Sequence, residues 1–281
     1  MKEYKRVLSI AGSDSGGGAG IQADIKTISA LGCYAATAVT AVTVQNTQGV
    51  AAVHAVPAEV VAGQIEAVLS DIGADAIKMG MLQSVEIVRA VASALSKYPG
   101  IPIVLDPVMV STSGHRLIEE SAVRAMTELL FPLATVITPN IPEAELLLDG
   151  ATGNESLLDG GAWKAVDLPV AARTLGGHYG VSVLLKAGHL VADELVDYFY
   201  NAETKEMVSM ASKRVETNNT HGTGCTLSSA VAALLARGHQ LTEAVQLAKG
   251  YIHDAIVSGA DYRIGKGHGP VDHFCRVKNH K

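Results

Sequence analysis

Val7-Leu8-Ser9-Ile10-Ala11-Gly12-Ser13-Asp14-Ser15-Gly16-Gly17-Gly18-Ala19-Gly20-Ile21-Gln22-Ala23-Asp24 carries the chain through a run of glycines from one kind of hydrophobic period to another. Its first five residues form a short, mostly apolar run that stops at Gly12, which is the length and type of a buried strand. From 19 to 31 the period changes, with Ile21, Ile25 and Ile28 recurring on one face as they do in a helix. At such a junction backbone N–H groups converge on the helix N-terminus, where an anion or a polar ring can be held.

The same rhythm continues outward. Residues 37–44 are a β-branched strand, and Pro57 opens a helix striped by Val60, Val61, Gln64, Ile65, Val68 and Leu69. A strand at 77–79, a helix capped by Ser84 and a strand at 103–105 ended by Asp106-Pro107 follow. Farther along come a helix near 121–130, strands at 135–138 and 181–186, and long helices at 225–237 and 241–257. Two shorter runs, 195–200 and 206–210, suit an antiparallel edge. Strands alternating with helices predict an α/β fold with a mostly parallel sheet covered on both sides. No repeat and no linker interrupts residues 1–281, which read as one domain, with 150–167 as an exposed excursion.

Composition removes several function classes. The 281 residues are 48% apolar and 18% charged, with a net charge of −6 and no run of Lys or Arg, so nucleic-acid binding is excluded. Cys33, Cys225 and Cys275 make neither a disulfide framework nor a C-x-x-C metal pattern, which predicts a reducing cytoplasm. The N-terminal apolar run is too short for a signal peptide, and no segment has the length of a membrane span.

Within the opening loop, Gly18-x-Gly20-x-x-Ala23 matches a dinucleotide fingerprint in form. That chemistry needs an acidic residue about twenty positions on, and no Asp or Glu occurs between Asp24 and Glu59. A P-loop is also excluded, because no Gly-Lys-Ser/Thr follows. Asp14 and Asp24, flanking the turn, favour a ligand loop over a bare tight turn. Thr220-His221-Gly222-Thr223-Gly224-Cys225 precedes an apolar helix, and small residues with free N–H groups there make an anion hole. At that helix start Cys225 is expected to be a thiolate that takes a proton from an attacking alcohol while the amides steady a phosphoryl group. His221 reads as a loop residue.

After the strand at 135–138, Asn140 and Glu143 stand three apart. They suit a capping box and, beside Asp106, equally a hydrated Mg²⁺. Asp106 and Lys186 fall at carboxyl ends of strands, where open parallel sheets place their ligands. Lys186 is then a phosphate partner, or else a snorkelling lysine. The His and Cys residues of 267–275 fit no closed four-ligand zinc set.

In this order the motifs resemble the ribokinase-like superfamily, and more narrowly the bacterial hydroxymethylpyrimidine/phosphomethylpyrimidine kinases of thiamine biosynthesis. The likeness is carried by 10–14, 17–24, 41–47, 78–82, 105–109, 138–144, 186–189, 219–226 and 265–270, which together span nearly the whole chain. It implies a three-layer α/β/α domain without a separate lid, ATP and Mg²⁺ as cofactors, and a homodimer. It also implies two successive reactions: phosphorylation of 4-amino-5-hydroxymethyl-2-methylpyrimidine, then of its monophosphate. Gln45 would read the ring amino group and the adjacent ring nitrogen, with Gly12, Asp24, Met81 and Val108 completing the pocket. Asp106, Asn140 and Glu143 would organise Mg²⁺ or its waters, Lys186 and Thr220 would meet the nucleotide, and Gly222, Thr223, Gly224 and Cys225 would hold the phosphoryl group in flight. Cys225 stands where many relatives carry an Asp base. The alternatives are a pyridoxal kinase of the same fold and a non-catalytic pyrimidine-binding regulator. Pyridoxal carries a hydroxyl where the pyrimidine has its amino group, so the amide of Gln45 favours the pyrimidine.

Overall fold

The computed structural model describes residues 2–109, 118–152 and 167–277. In chain order the strands are β1 (Arg6–Asp14), β2 (Tyr34–Asn46), β3 (Gly49–Ala55), β4 (Ala76–Met79), β5 (Ile103–Leu105), β6 (Val136–Ile137), β7 (Ser182–Leu185), β8 (Glu194–Tyr200) and β9 (Met207–Lys213). All lie in one sheet, ordered β3-β2-β1-β4-β5-β6-β7-β8-β9. From β2 to β7 the neighbours are parallel; β3 at one edge and the β8–β9 pair at the other are antiparallel.

The helices are α1 (Gly20–Ala30), α2 (Ala58–Asp71), α3 (Val85–Leu95), α4 (Glu120–Leu129), α5 (Ile141–Thr152), α6 (Leu168–Tyr179), α7 (Thr223–Ala236) and α8 (Leu241–Gly259). Successive strand residues face opposite sides, so each central strand feeds two cores. Leu8, Ile77, Leu105, Ile137 and Leu185 pack under α2 to α6, whereas Val7, Ala76, Val104, Val136 and Leu184 pack under α7 and α8. Burial on both faces is why these strands read as continuous apolar runs rather than alternating ones. The result is the expected three-layer α/β arrangement.

Local signals set several boundaries. Ser84 Oγ accepts the Ile87 amide at 3.4 Å and starts α3, and Pro57 stands at the N-cap of α2. The expected antiparallel edge is β8 with β9. Two elements go beyond the sequence reading. β3 is mostly alanine and valine without alternating burial, and α6 carries Gly176 and Gly177 inside it, which weakens its helical signal. Of the 150–167 excursion, residues 153–166 lie outside the described residues.

One buried group makes stability depend on pH. His273 is 4% exposed and its Nε2 has no hydrogen-bond partner. Burial pushes its pKa from 6.5 down to about 4, so the folded protein holds it neutral. Between these values the unfolded chain binds the proton first, so stability falls as pH drops from about 6.5 to about 4, by up to about 3 kcal/mol. Urea midpoints across that window should fall less steeply in His273→Phe than in the wild type. Equal slopes would show that His273 does not contribute.

Candidate active site

A cleft of about 810 Å³ lies at the carboxyl ends of the parallel strands, where open α/β sheets bind ligands. β1 brings Gly12 and Asp14 to it, β2 brings Gln45, and β4 brings Lys78; Asp106, Asn140 and Lys186 follow β5, β6 and β7. The first turn of α7 closes the cleft from the other side.

The glycine loop after β1 is folded onto its own aspartate. Asp14 accepts the amides of Gly16 (2.8 Å), Gly18 (3.1 Å) and Ala19 (2.9 Å) and the Nε2 of His221 (2.8 Å). Burial works against its charge, but His221 and the amides outweigh it, and its pKa is lowered. This corrects the sequence reading: those amides are already used and do not form an anion cradle. Asp24, unlike Asp14, is not on the cleft wall. It is fully buried, saturated by Lys78 Nζ (2.9 and 3.0 Å), Ser9 Oγ (2.6 Å) and Ser229 Oγ (2.7 Å). The ligand-loop reading rests on these two flanking carboxylates, yet Asp14 serves to fix the loop backbone and Asp24 to pair buried side chains.

Opposite the loop sits a second charged group. Asp106 Oδ1 accepts Lys186 Nζ and Thr138 Oγ1, each at 2.9 Å, and Ser228 Oγ is 3.5 Å from Oδ2. Burial alone would raise the Asp106 pKa, but Lys186 and Lys78 hold it below the ordinary carboxylate value. Lys186 is therefore largely enclosed and paired, not snorkelling. Asn140 and Glu143 do form a reciprocal capping box on α5, with the Asn140 amide to Glu143 Oε2 at 2.8 Å and the Glu143 amide to Asn140 Oδ1 at 3.0 Å. Burial pushes Glu143 up to about 7, Lys186 opposing and Asp106 adding to the rise. Asp106 is thus held ionised beside Lys186, while burial keeps the nearby Glu143 partly protonated at neutral pH. That donor set suits a hydrated Mg²⁺, which takes one or two carboxylates plus waters and phosphate oxygens. Among the described residues no three His, Cys, Asp or Glu side chains cluster to grip a metal directly.

α7 begins in a tight contact. Gly222 has φ +80°, and a Cβ there would collide with the Gly18 carbonyl oxygen, so only glycine lets the two loops meet. A Cβ on Gly224 would sit 3.3 Å from Lys186 Nζ and 3.4 Å from Asp106 Oδ2, which shows how close the first turn of α7 lies to that pair. Thr220, Thr223 and Cys225 line the same wall. The expected thiolate is overturned. The Cys225 side chain touches the cleft but is otherwise enclosed, and burial pushes its thiol up to about 11, with Lys78 opposing and Asp24 and Asp106 adding. A helix N-terminus does not compensate for that loss of water.

At the β2 end of the cleft, Gln45 Oε1 lies 3.1 Å from Thr43 Oγ1 and its Nε2 lies 3.3 Å from His221 Nε2. Met81 and Val108 line this end, and the Met81 methyl occupies the space a side chain on Gly12 would need. A second arm runs between β8, β9 and α8, lined by Leu195, Val215, Ile252 and Ile256. All the expected site residues except Asp24 therefore border one cleft. Sequence reasoning missed Lys78 and His221. Lys78 lies within an apolar strand and gives no signal of its own, whereas His221 stood inside the motif and its contact with Asp14 is 207 residues away in sequence.

Comparison with known proteins gives concordant results. The family described as phosphomethylpyrimidine kinase matches residues 14–272. A hydroxymethylpyrimidine/phosphomethylpyrimidine kinase of Rhizobium meliloti (strain 1021) is 49% identical, over 96% of this chain and 97% of the relative. Among solved structures, the phosphomethylpyrimidine kinase of Clostridium difficile 630 is 41% identical with a TM-score of 0.74, covering 90% of this chain and 99% of that one. The ADP complex of Bacillus subtilis pyridoxal kinase is 34% identical with a TM-score of 0.86, covering 98% and 100%.

Proposed function

The chain belongs to the phosphomethylpyrimidine kinase family, and from that premise we infer an ATP-dependent kinase acting on 4-amino-5-hydroxymethyl-2-methylpyrimidine and then on its monophosphate. The observation that carries the reading is the layout of the cleft. A side-chain amide, Gln45, stands at one end, and the paired Lys186 and Asp106 face the first turn of α7 at the other. Gln45 offers an acceptor to the ring amino group and a donor to the ring nitrogen. Gly12, Met81 and Val108 enclose the ring, and Lys186 and Thr220 meet the nucleotide phosphates. The amides of Gly222 to Cys225 stabilise the phosphoryl group in transfer, so catalysis is mostly positioning and fixed charge. Asp106, Glu143 and Asn140 would hold a hydrated Mg²⁺, which screens phosphate charge when bound. One kinase domain, a homodimer and a reducing cytoplasm complete the reading. The exposed Val42 and Val44 of β2 and the three free cysteines support the last two. Sedimentation at the 29.2 kDa monomer mass would remove the dimer, and fractionation outside the cytosol would remove the compartment.

The test is ADP release with Mg-ATP in the presence of hydroxymethylpyrimidine, its monophosphate or pyridoxal. Turnover of both pyrimidines with little on pyridoxal supports the proposal; turnover of pyridoxal alone overturns the substrate, and silence on all three favours a binding protein. Cys225 has a narrower role than a resident thiolate. A thiol held near 11 is protonated at neutral pH, so Cys225→Ala should lower kcat by about 10- to 100-fold with little change in KM. Iodoacetamide labelling of Cys225 should keep accelerating beyond pH 9; a plateau by pH 8 would restore the thiolate.

A further inference from the structure

The two ends of the Gln45 amide have the same shape and differ only in hydrogens, so the neighbours decide which end is which. Thr43 Oγ1 has one proton and gives it to the Ser13 carbonyl oxygen at 3.0 Å, so toward Gln45 it accepts. His221 Nε2 stands 2.8 Å from the carboxylate of Asp14, a distance that requires the proton on that nitrogen and leaves it no lone pair, so toward Gln45 it cannot accept and can only share that proton. With oxygen at Thr43 and nitrogen at His221, acceptor faces acceptor and donor faces donor. Exchanging Oε1 and Nε2 removes both conflicts at once: the amide nitrogen donates to Thr43, and the amide oxygen takes the weaker share of the His221 proton that Asp14 holds.

We propose that His221, held by Asp14, fixes the Gln45 amide in this orientation and so aims the substrate's hydroxymethyl group at the first turn of α7. The inference rests on Gln45 being the group that reads the pyrimidine. In that ring the nitrogen, the carbon bearing the amino group and the carbon bearing the hydroxymethyl group are consecutive. An amide that accepts from the amino group and donates to the ring nitrogen lies along this edge. With the amide oxygen on the His221 side, the ring nitrogen lies toward Thr43, and the hydroxymethyl carbon lies beyond the amino group, toward His221. His221 directly precedes Gly222, the N-cap of α7, so the reacting oxygen points at the amides that receive the phosphoryl group. The reverse orientation would turn that oxygen toward Thr43 and away from the transfer. His221 is thus a positioning residue that acts through Gln45. The Asp14 contact that orients it also ties the glycine loop to the loop before α7.

A double-mutant cycle tests this. In His221→Ala, kcat/KM for hydroxymethylpyrimidine should fall about 30-fold while the KM for ATP stays within about twofold. His221→Gln, whose amide nitrogen can still donate to Asp14 and Gln45, should recover most of the loss. Thr43→Val removes the other anchor without touching the α7 loop and should cost about tenfold, which keeps the test valid if His221→Ala fails to fold. In a Gln45→Ala background neither change should lower kcat/KM further. Additive losses there, or a normal kcat/KM in Thr43→Val, overturn the proposal. A Gln45→Ala enzyme with unchanged kcat/KM would instead overturn the reading of Gln45 itself.

Discussion

Lys186→Met should lower turnover by about 10²- to 10³-fold, the loss that follows removal of one fixed group from a site stabilising charge in a transition state. The lysine is held from three directions. Its amide donates to the Pro139 carbonyl oxygen at 2.9 Å, the next amide, Ala187, donates to Asp197 Oδ1 at 2.8 Å, and its Nζ meets Asp106 at 2.9 Å. Burial disfavours the ammonium, but Asp106 and Glu143 outweigh it and its pKa is raised, so the charge is present throughout the working range. The Met variant also strands Asp106 with only hydroxyl donors and Lys78 nearby, which should cost about 3 kcal/mol of stability. Turnover must therefore be measured at a temperature where circular dichroism shows the variant folded. Lys186→Arg keeps the charge but places it differently, and should retain more activity than Met. A folded Met variant with a tenth of normal turnover would take Lys186 out of the phosphoryl path.

The fold was legible because the central strands are buried on both faces and the helices between them carry ordinary stripes. The elements it hid, β3 and α6, are those whose residues lack period or carry helix-weakening glycines. In the site, motifs located the parts but not their pairings. Asn140 and Glu143 could be read as a cap, and they are one, because a cap is a contact within four residues. Asp24 and His221 were misread because their partners, Lys78 and Ser229 for the one and Asp14 for the other, are distant in sequence, and Asp14 because the loop amides it accepts leave no mark in composition or period. The Cys225 error was one of magnitude: a helix terminus offers a partial charge to a thiolate, and burial in this cleft costs it more.

Breaking the Lys78–Asp24 pair should produce the largest loss of stability, about 3–5 kcal/mol for either Lys78→Met or Asp24→Asn. Both side chains are fully buried and bound bidentately, and Ser9 and Ser229 occupy the remaining carboxylate positions. Burial disfavours the Lys78 ammonium, but Asp24 overrides it and the pKa is raised, so the pair is ionic. Removing one member leaves a charge unpaired inside the protein, whereas removing both leaves only the Ser9 and Ser229 hydroxyls without their acceptor. Lys78→Met combined with Asp24→Leu should regain at least half of the lost stability, the two serine hydroxyls accounting for the rest. Turnover should not return with it. Lys78 borders the cleft, and its charge lowers the pKa values of both Cys225 and Asp106. The double variant should therefore stay about 100-fold below wild type in kcat. Urea midpoints and kcat for the three variants separate the two roles. Stability regained without turnover means that the pair is retained for the cleft. If both return together, the pair serves the fold alone; if neither returns, the cost was never the unpaired charge.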